Sequence, residues 1–275
     1  MQKRLLGKFL LSKKGLTIPV TYLILFVSLI VVISATYSLA VTQISARSAL
    51  LKVSVAKQNI QFLDDAVRSV AWSFGASEVV YMDDCGGIFQ TDLTAKNLII
   101  NLTDNVSFYD IVFNTSVGKA FYKLEASESN YDDLFVKGDN RAIINQSAFT
   151  MTQFFFAAGS DSKELTLCYR PSATAMQVSM KDGKPLNLIR IYVINLNSSA
   201  NLMLREKSYL KVTSVNVTTT TRQYNFNSSI SSLALKAILD ATSSTVWLPI
   251  SSNTEGAVVN LEIVTCNVKI QRAEV

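Results

Sequence analysis

Hydrophobic and polar positions divide this chain into three regimes. From Leu16 to Ala46 there is no charged side chain, and Leu, Ile, Val and Phe dominate between Val20 and Val41. A hydrocarbon core about 30 Å thick is crossed by roughly 20 apolar residues in a helix, so residues 16–46 read as a transmembrane helix. Pro19 falls in its first turn, where a missing N–H costs little. Past Arg47, apolar residues recur at Ala49, Val53, Ala56, Ile60, Leu63, Val67, Val70 and Phe74, alternating by four and three. That narrow stripe predicts an amphipathic stalk helix over residues 47–75. Lys52, Lys57, Gln58, Asp64, Asp65 and Arg68 lie off the stripe, and Gly75 sits where a helix stop belongs. The stripe fits packing on the chain's own β domain and packing on neighbouring copies, and the two can coexist.

After Gly75 the period changes to two and β-formers take over. Expected strands are 78–82, 88–91, 97–103, 107–114, 120–126, 164–169, 174–181, 185–195, 209–221 and 258–270. Turn signals at Cys85-Gly86-Gly87, Val117-Gly118-Lys119 and Asp182-Gly183 separate several of them. The apolar run from Leu188 to Ile194 predicts a strand buried on both faces. Ser232 to Ala241 reads as a helix, and the polar, acidic stretch Ser127–Asn140 as an exposed loop. The expected class is α+β: a long N-terminal transmembrane and stalk helix, then a mostly antiparallel, β-sandwich-like extracellular head over residues 76–275.

Charge sets the orientation. Residues 1–15 hold Lys3, Arg4, Lys8, Lys13 and Lys14 and no acid, which accounts for the whole formal net charge of +5. A basic flank stays in the cytoplasm, so everything after Arg47 is expected outside the cell. The remainder carries equal numbers of acids and bases, which gives no support for nucleic-acid binding.

The chain contains no histidine. That excludes Ser-His-Asp and Cys-His catalysis and the usual His-containing zinc sites. Ser54-x-x-Lys57 and Ser160-x-x-Lys163 match a hydrolase string without its companion motifs. Asp83-Asp84 and Asp132-Asp133 read as solvated turn acids. No catalytic group, metal site, cofactor or small-molecule substrate is expected. Cys85, Cys168 and Cys266 fit one disulfide plus a free thiol, or three unpaired core thiols. Asn101, Asn105, Asn114, Asn145, Asn197, Asn216 and Asn227 head Asn-x-Ser/Thr acceptor patterns on the external side. Some, not all, are expected to carry glycans, with Asn101 and Asn105 flanking one strand-turn as the best pair.

The junction reads Ser12-Lys13-Lys14-Gly15-Leu16-Thr17-Ile18-Pro19-Val20. A basic pair, a glycine and an immediate long apolar helix resemble the class III signal peptide of type IV pilin-like proteins, and the order Gly-Leu-Thr-Ile-Pro-Val looks most like the archaeal type. The resemblance covers Lys13 to Phe74. It implies cleavage by a prepilin-type peptidase between Gly15 and Leu16, with residues 1–15 as leader and the apolar helix retained. It also implies a surface filament in which that helix packs on copies of itself or on other pilin-like subunits, along a seam of Val53, Ala56, Ile60, Leu63, Val67, Val70 and Phe74. Many bacterial pilins carry Glu at the fifth mature position; here that position is Val20, which is compatible with an archaeal or minor subunit. The head would then serve adhesion or envelope contacts. The rival expectation is an uncleaved, single-pass anchored ectodomain that binds or senses.

Overall fold

The computed structural model describes residues 13–104, 106–125, 134–145, 150–158 and 162–274. Among the described residues, one helix, α1 (Lys13–Val70), precedes fourteen strands. They are β1 (Ser77–Met82), β2 (Ile88–Thr103), β3 (Tyr109–Glu125), β4 (Phe135–Lys137), β5 (Ile144–Asn145), β6 (Thr152–Ala158), β7 (Ser162–Tyr169), β8 (Ser172–Lys181), β9 (Lys184–Asn195), β10 (Met203–Leu204), β11 (Ser208–Phe226), β12 (Ser232–Leu239), β13 (Thr242–Pro249) and β14 (Ala257–Arg272). The class is α+β. Residues 1–51 and Lys52–Val275 are separate compact units, so the last part of α1 belongs to the β-rich one.

Two sheets build the head. One has the order β1-β11-β14-β9-β8-β5, the other β13-β12-β2-β3-β7-β6-β4 with β10 added on β2. Every pairing is antiparallel except β14 with β9 and β5 with β8. The apolar interior is in two parts. One gathers Ala56, Ile60, Leu63, Val67 and Val70 of α1 with residues such as Leu210, Cys266, Phe89 and Phe154. The other is sheet on sheet, with Ile189, Ile191, Leu261 and Ile263 meeting Leu98, Ile100, Leu233 and Leu235. Within single strands the buried side reverses where one core gives way to the other. In β14 the odd positions through Ile263 enter the second core, and the even positions from Cys266 enter the first. The same change falls between Val193 and Ile194 in β9 and between Val117 and Ala120 in β3. Alternating side chains project to opposite faces, so these long strands serve both cores, each with a different face.

Several sequence expectations change. Ser232–Ala241 is not a helix: β12 pairs with β2 and with β13. A short apolar run fits either period, and here alternation wins because Leu233, Leu235, Ala237 and Leu239 point into the sheet-on-sheet core. Val117-Gly118-Lys119 is no turn but lies inside β3. Its glycine is needed because an added Cβ would stand 2.7 Å from the Leu196 carbonyl carbon. Expected strands 88–91 and 97–103 form one strand, interrupted by a bulge between Asp92 and Lys96, and 107–114 merges with 120–126. Strand β9 is fully buried on one face only; Leu188, Arg190 and Tyr192 on the other stay partly exposed. Within the expected loop Ser127–Asn140, Phe135–Lys137 is a strand, and 127–133 lies outside the described residues. The Asp182-Gly183 turn is as expected, with φ of 51° and 78°, the left-handed pair of a tight hairpin.

The stripe also ends early. The helix stops at Val70, and Phe74 is 76% exposed outside it, so it is no seam residue. The backbone tightens there, with Ser73 N–H bonding Val70 O, and Gly75 at φ +77° turns the chain into β1. Asp64, expected off the stripe, is 2% exposed.

Candidate functional site

Two features carry functional weight: the apolar part of α1 and the surface of the head. Within residues 1–51, α1 is one helix long and apolar enough to cross a membrane, its most apolar 18-residue window having a mean hydropathy of 2.4. None of that window is buried inside the chain. Its large side chains face outward, from Val41 at 44% exposed to Tyr37 at 71%. Three of its hydroxyls bond back to the helix: Ser28 to Leu25 O at 2.8 Å, Thr36 to Val32 O at 2.8 Å and Thr42 to Ser38 O at 2.9 Å. A helix in hydrocarbon must satisfy its polar groups internally, and these back-bonds do so for the three hydroxyls that make them. Lys13, Lys14, Gly15 and Leu16 lie at the start of this helix. Residues 1–12 of the expected leader lie outside the described residues.

The seam is occupied by the head itself. Ala56, Ile60, Leu63, Val67 and Val70 are buried, and Val53 packs partly against them. Asp64 joins this face as a polar lock. Its carboxylate accepts bonds from Thr152 Oγ1 at 2.7 Å, Tyr169 Oη at 2.9 Å and Lys137 Nζ at 2.5 Å. Burial, and then the adjacent carboxylate, push the Tyr169 phenol well above its ordinary range. The sequence held a signal for this: Asp64 stands four residues after Ile60 and three before Val67, on their side of the helix.

The acceptor asparagines separate by exposure. Asn114 and Asn227 are exposed, Asn227 just beyond β11 where its Oδ1 accepts Lys184 Nζ at 2.8 Å. Asn145, Asn197 and Asn216 are half-buried. Asn101 is 4% exposed, in β2 between β3 and β12, so it is closed to a glycan in the folded head. The period-two pattern around it marked a strand, but not that both of its edges would be paired. Asn105 lies outside the described residues, as do Gln146 and Ser147 of the Asn145 pattern.

All three cysteines are buried and unpaired, so no disulfide forms. Burial raises each thiol above its ordinary pKa, which suits inert core packing. Ser160 of the second Ser-x-x-Lys string lies outside the described residues. Lys57 of the first stands over the Phe156 ring at 5.2 Å, in the role of a packed cation.

One arrangement had no sequence signal. Arg170 is 1% exposed. It donates to Thr150 O at 3.0 Å, Asp139 O at 3.3 Å and Arg141 O at 3.2 Å, and pairs with the Asp139 carboxylate. Arg141 clasps the same carboxylate through Nε at 3.0 Å and Nη2 at 2.6 Å. Arg141 foremost, with Arg170, holds Asp139 well below the usual carboxylate range. Residues 138–141 are thereby fixed, and Gly138 is obligatory, since an added Cβ would stand 2.3 Å from Thr152 O. This fixed segment, Phe135, Gln153 and Phe155, Lys96 in the β2 bulge and Thr242 at the β12–β13 turn line a cleft of about 520 Å³.

No protein-family model matches the chain, and neither does any curated protein or solved structure.

Proposed function

We propose that the chain is a type IV pilin-like surface subunit of archaeal type. Its N-terminus is cytoplasmic, its apolar helix is held in the membrane or in a filament, and its head faces outward for adhesion or envelope contacts. The observation that carries this reading is the division of α1. Residues 19–51 expose apolar side chains on every side, while Ala56–Val70 bury one stripe in the head's core. A segment of the first kind demands either lipid or other helices around it. The Lys13-Lys14-Gly15-Leu16 junction supplies the resemblance to a prepilin-type peptidase substrate. The exposure of the Asn114 and Asn227 acceptor patterns agrees with an exported head. The head acts by contact, consistent with a chain that has no histidine to serve as general base.

The test is the mass of the N-terminal peptide of the native, membrane-extracted protein. A terminus at Leu16, shifted back to the uncut form by replacing Gly15 with a bulky residue, supports the reading. A terminus at Met1 removes it.

A second reading, the uncleaved anchored ectodomain, is favoured by the head's coverage of Ala56–Val70. With that stripe occupied, assembly would have to rest on residues 16–51. The same mass measurement separates the two.

A further inference from the structure

The cleft beside β6 is drawn from four separate parts of the chain, and the wall of residues 138–140 is held from behind. A fully buried arginine spends its donors on the carbonyls of Thr150, Asp139 and Arg141 and on the Asp139 carboxylate. Burying a guanidinium is costly unless every bond is made. Its yield here is a surface loop fixed in one shape, and a rigid wall lowers the ordering cost of binding.

The chemistry of the cleft is unequal. Phe135 and Phe155, with ring centroids 5.0 Å apart, give it an apolar side. The lining also holds Asn140, with its amide, and Thr242, with its hydroxyl. The Lys96 ammonium stands 5.3 Å from the Phe155 ring centre and 3.8 Å from Cys168 Sγ. It meets no carboxylate among the described residues. Asp139 is consumed by two guanidiniums, and Asp240, next to the β12–β13 turn, accepts the Asn97 N–H at 2.8 Å. The charged side chains lining the cleft are thus Lys96 and Asp139, and Asp139 is already held by Arg141 and Arg170. An apolar wall, neutral hydrogen-bonding groups and an ammonium that meets no carboxylate among the described residues together suit a pyranose ring carrying a carboxylate.

A peptide fits less well. Strand addition needs a run of unpaired backbone groups. Here the bordering strand β4 has three residues, and the carbonyls of Asp139 and Arg141 already serve Arg170. The volume falls within the range of small-ligand sites and suits one or two sugar units.

We propose that this cleft binds an acidic saccharide, with Lys96 taking the carboxylate, Asn140 and Thr242 the hydroxyls, and the phenylalanine pair the ring. The proposal rests on the reading of the head as an outward-facing contact module. The experiment titrates the detergent-solubilised full chain with fluorescently labelled tetragalacturonate, using labelled maltotetraose and tetraglutamate as neutral and peptide controls. Tetragalacturonate is expected to bind at a Kd of ~1 mM or tighter, and maltotetraose at least ~10-fold more weakly, as loss of one charged hydrogen bond implies. Lys96→Gln should weaken binding ~10-fold and Lys96→Arg should restore most of it. Asn140→Ala, at the exposed rim, should weaken it several-fold with an unchanged melting temperature. The proposal is overturned by no binding at 10 mM (about tenfold above the expected Kd), by equal affinity for tetraglutamate, or by wild-type affinity in both Lys96→Gln and Asn140→Ala. Binding with an intact Met1 terminus would keep the cleft and remove the pilin-like reading; no binding with a Leu16 terminus would do the reverse.

Discussion

The two parts of α1 share one backbone conformation and differ in almost everything else. Before Leu51 the helix carries no charge from Leu16 to Ala46, and from Val20 on it leaves its large apolar side chains exposed. After Lys52 it is charged on one side and buries Ala56, Ile60, Leu63, Val67 and Val70 on the other. The first part looks outward for its solvent and the second inward for its core. A helix does not report its environment through hydrogen bonding, since the i to i−4 ladder is the same in lipid and in a protein interior. It does so through how far around its circumference apolar residues extend.

Charge insertion is the strongest way to break this comparison. Leu63→Asp places an unpaired carboxylate in the head's core and should cost on the order of 4–5 kcal/mol, enough to abolish the cooperative thermal melt of the detergent-solubilised chain. Val31→Asp should leave that melt in place and instead lower membrane insertion by about 3 kcal/mol, read by fractionation between membrane and soluble pools. Equal effects of both on the head melt would mean that the two parts of α1 do not have separate roles.

The buried polar groups give the next largest effects. Asp64→Leu strands the hydroxyls of Thr152 and Tyr169, and Arg170→Met strands the Thr150 carbonyl, while Gln153 Nε2 still donates to the carbonyls of Asp139 and Arg141. Asp64→Leu should lower head stability by about 3–5 kcal/mol and Arg170→Met by about 1–3 kcal/mol by denaturant titration, both more than an exposed change such as Arg222→Met, which should cost under about 1 kcal/mol.

Glycines sharpen the contrast between core strands and helix end. Gly256 has φ +108°, and an added Cβ would lie 1.9 Å from Phe226 O, so Gly256→Ala meets both strain and a backbone clash. Gly75 has φ +77° with nothing within 4 Å, so Gly75→Ala carries strain alone, about 1–2 kcal/mol. Melting temperatures should rank wild type, then Gly75→Ala, then Gly256→Ala.

The smallest effect is acid sensitivity. Asp104 accepts the backbone N–H groups of Phe108, Val106 and Ser107, and the bond from Phe108, followed by the others, lowers its pKa to about 2 from 3.8. A depressed folded pKa means stability that is present above the unfolded value and lost as pH falls through the folded one. The advantage of wild type over Asp104→Ala in melting temperature should therefore be full at pH 5 and shrink between about pH 4 and pH 2. The group is largely exposed and screened, so the change is small. The helicity contributed by residues 16–46, which carry no charge, should not move over that range.

Much of the architecture was legible in order along the chain. The uncharged run marked α1, and alternation marked β1, β7, β8, β9, β11 and β14 within a few residues. The Asp182-Gly183 hairpin was legible because two left-handed residues in a row have few other uses. What failed did so where local pattern was ambiguous. Ser232–Leu239 satisfies helical and strand spacing alike, and only pairing on both sides decides between them. Gly118 resembles a turn glycine, but its reason is the backbone of Leu196, almost eighty residues away in sequence. The cleft was illegible because Lys96, Asp139, Phe155 and Thr242 share no motif and are brought together only by sheet order.

The sequence by itself determined that this chain has a membrane-length apolar helix, an amphipathic continuation and a β-rich remainder, because each follows from hydrophobic period and length. The tertiary structure alone decided which groups are inside. It turned the stripe of α1 inward, recruited Asp64 to it, buried Asn101 and Arg170, and kept the three thiols apart. Burial depends on what packs from distant parts of the chain, and that information is carried by pairing and register, which no local window contains.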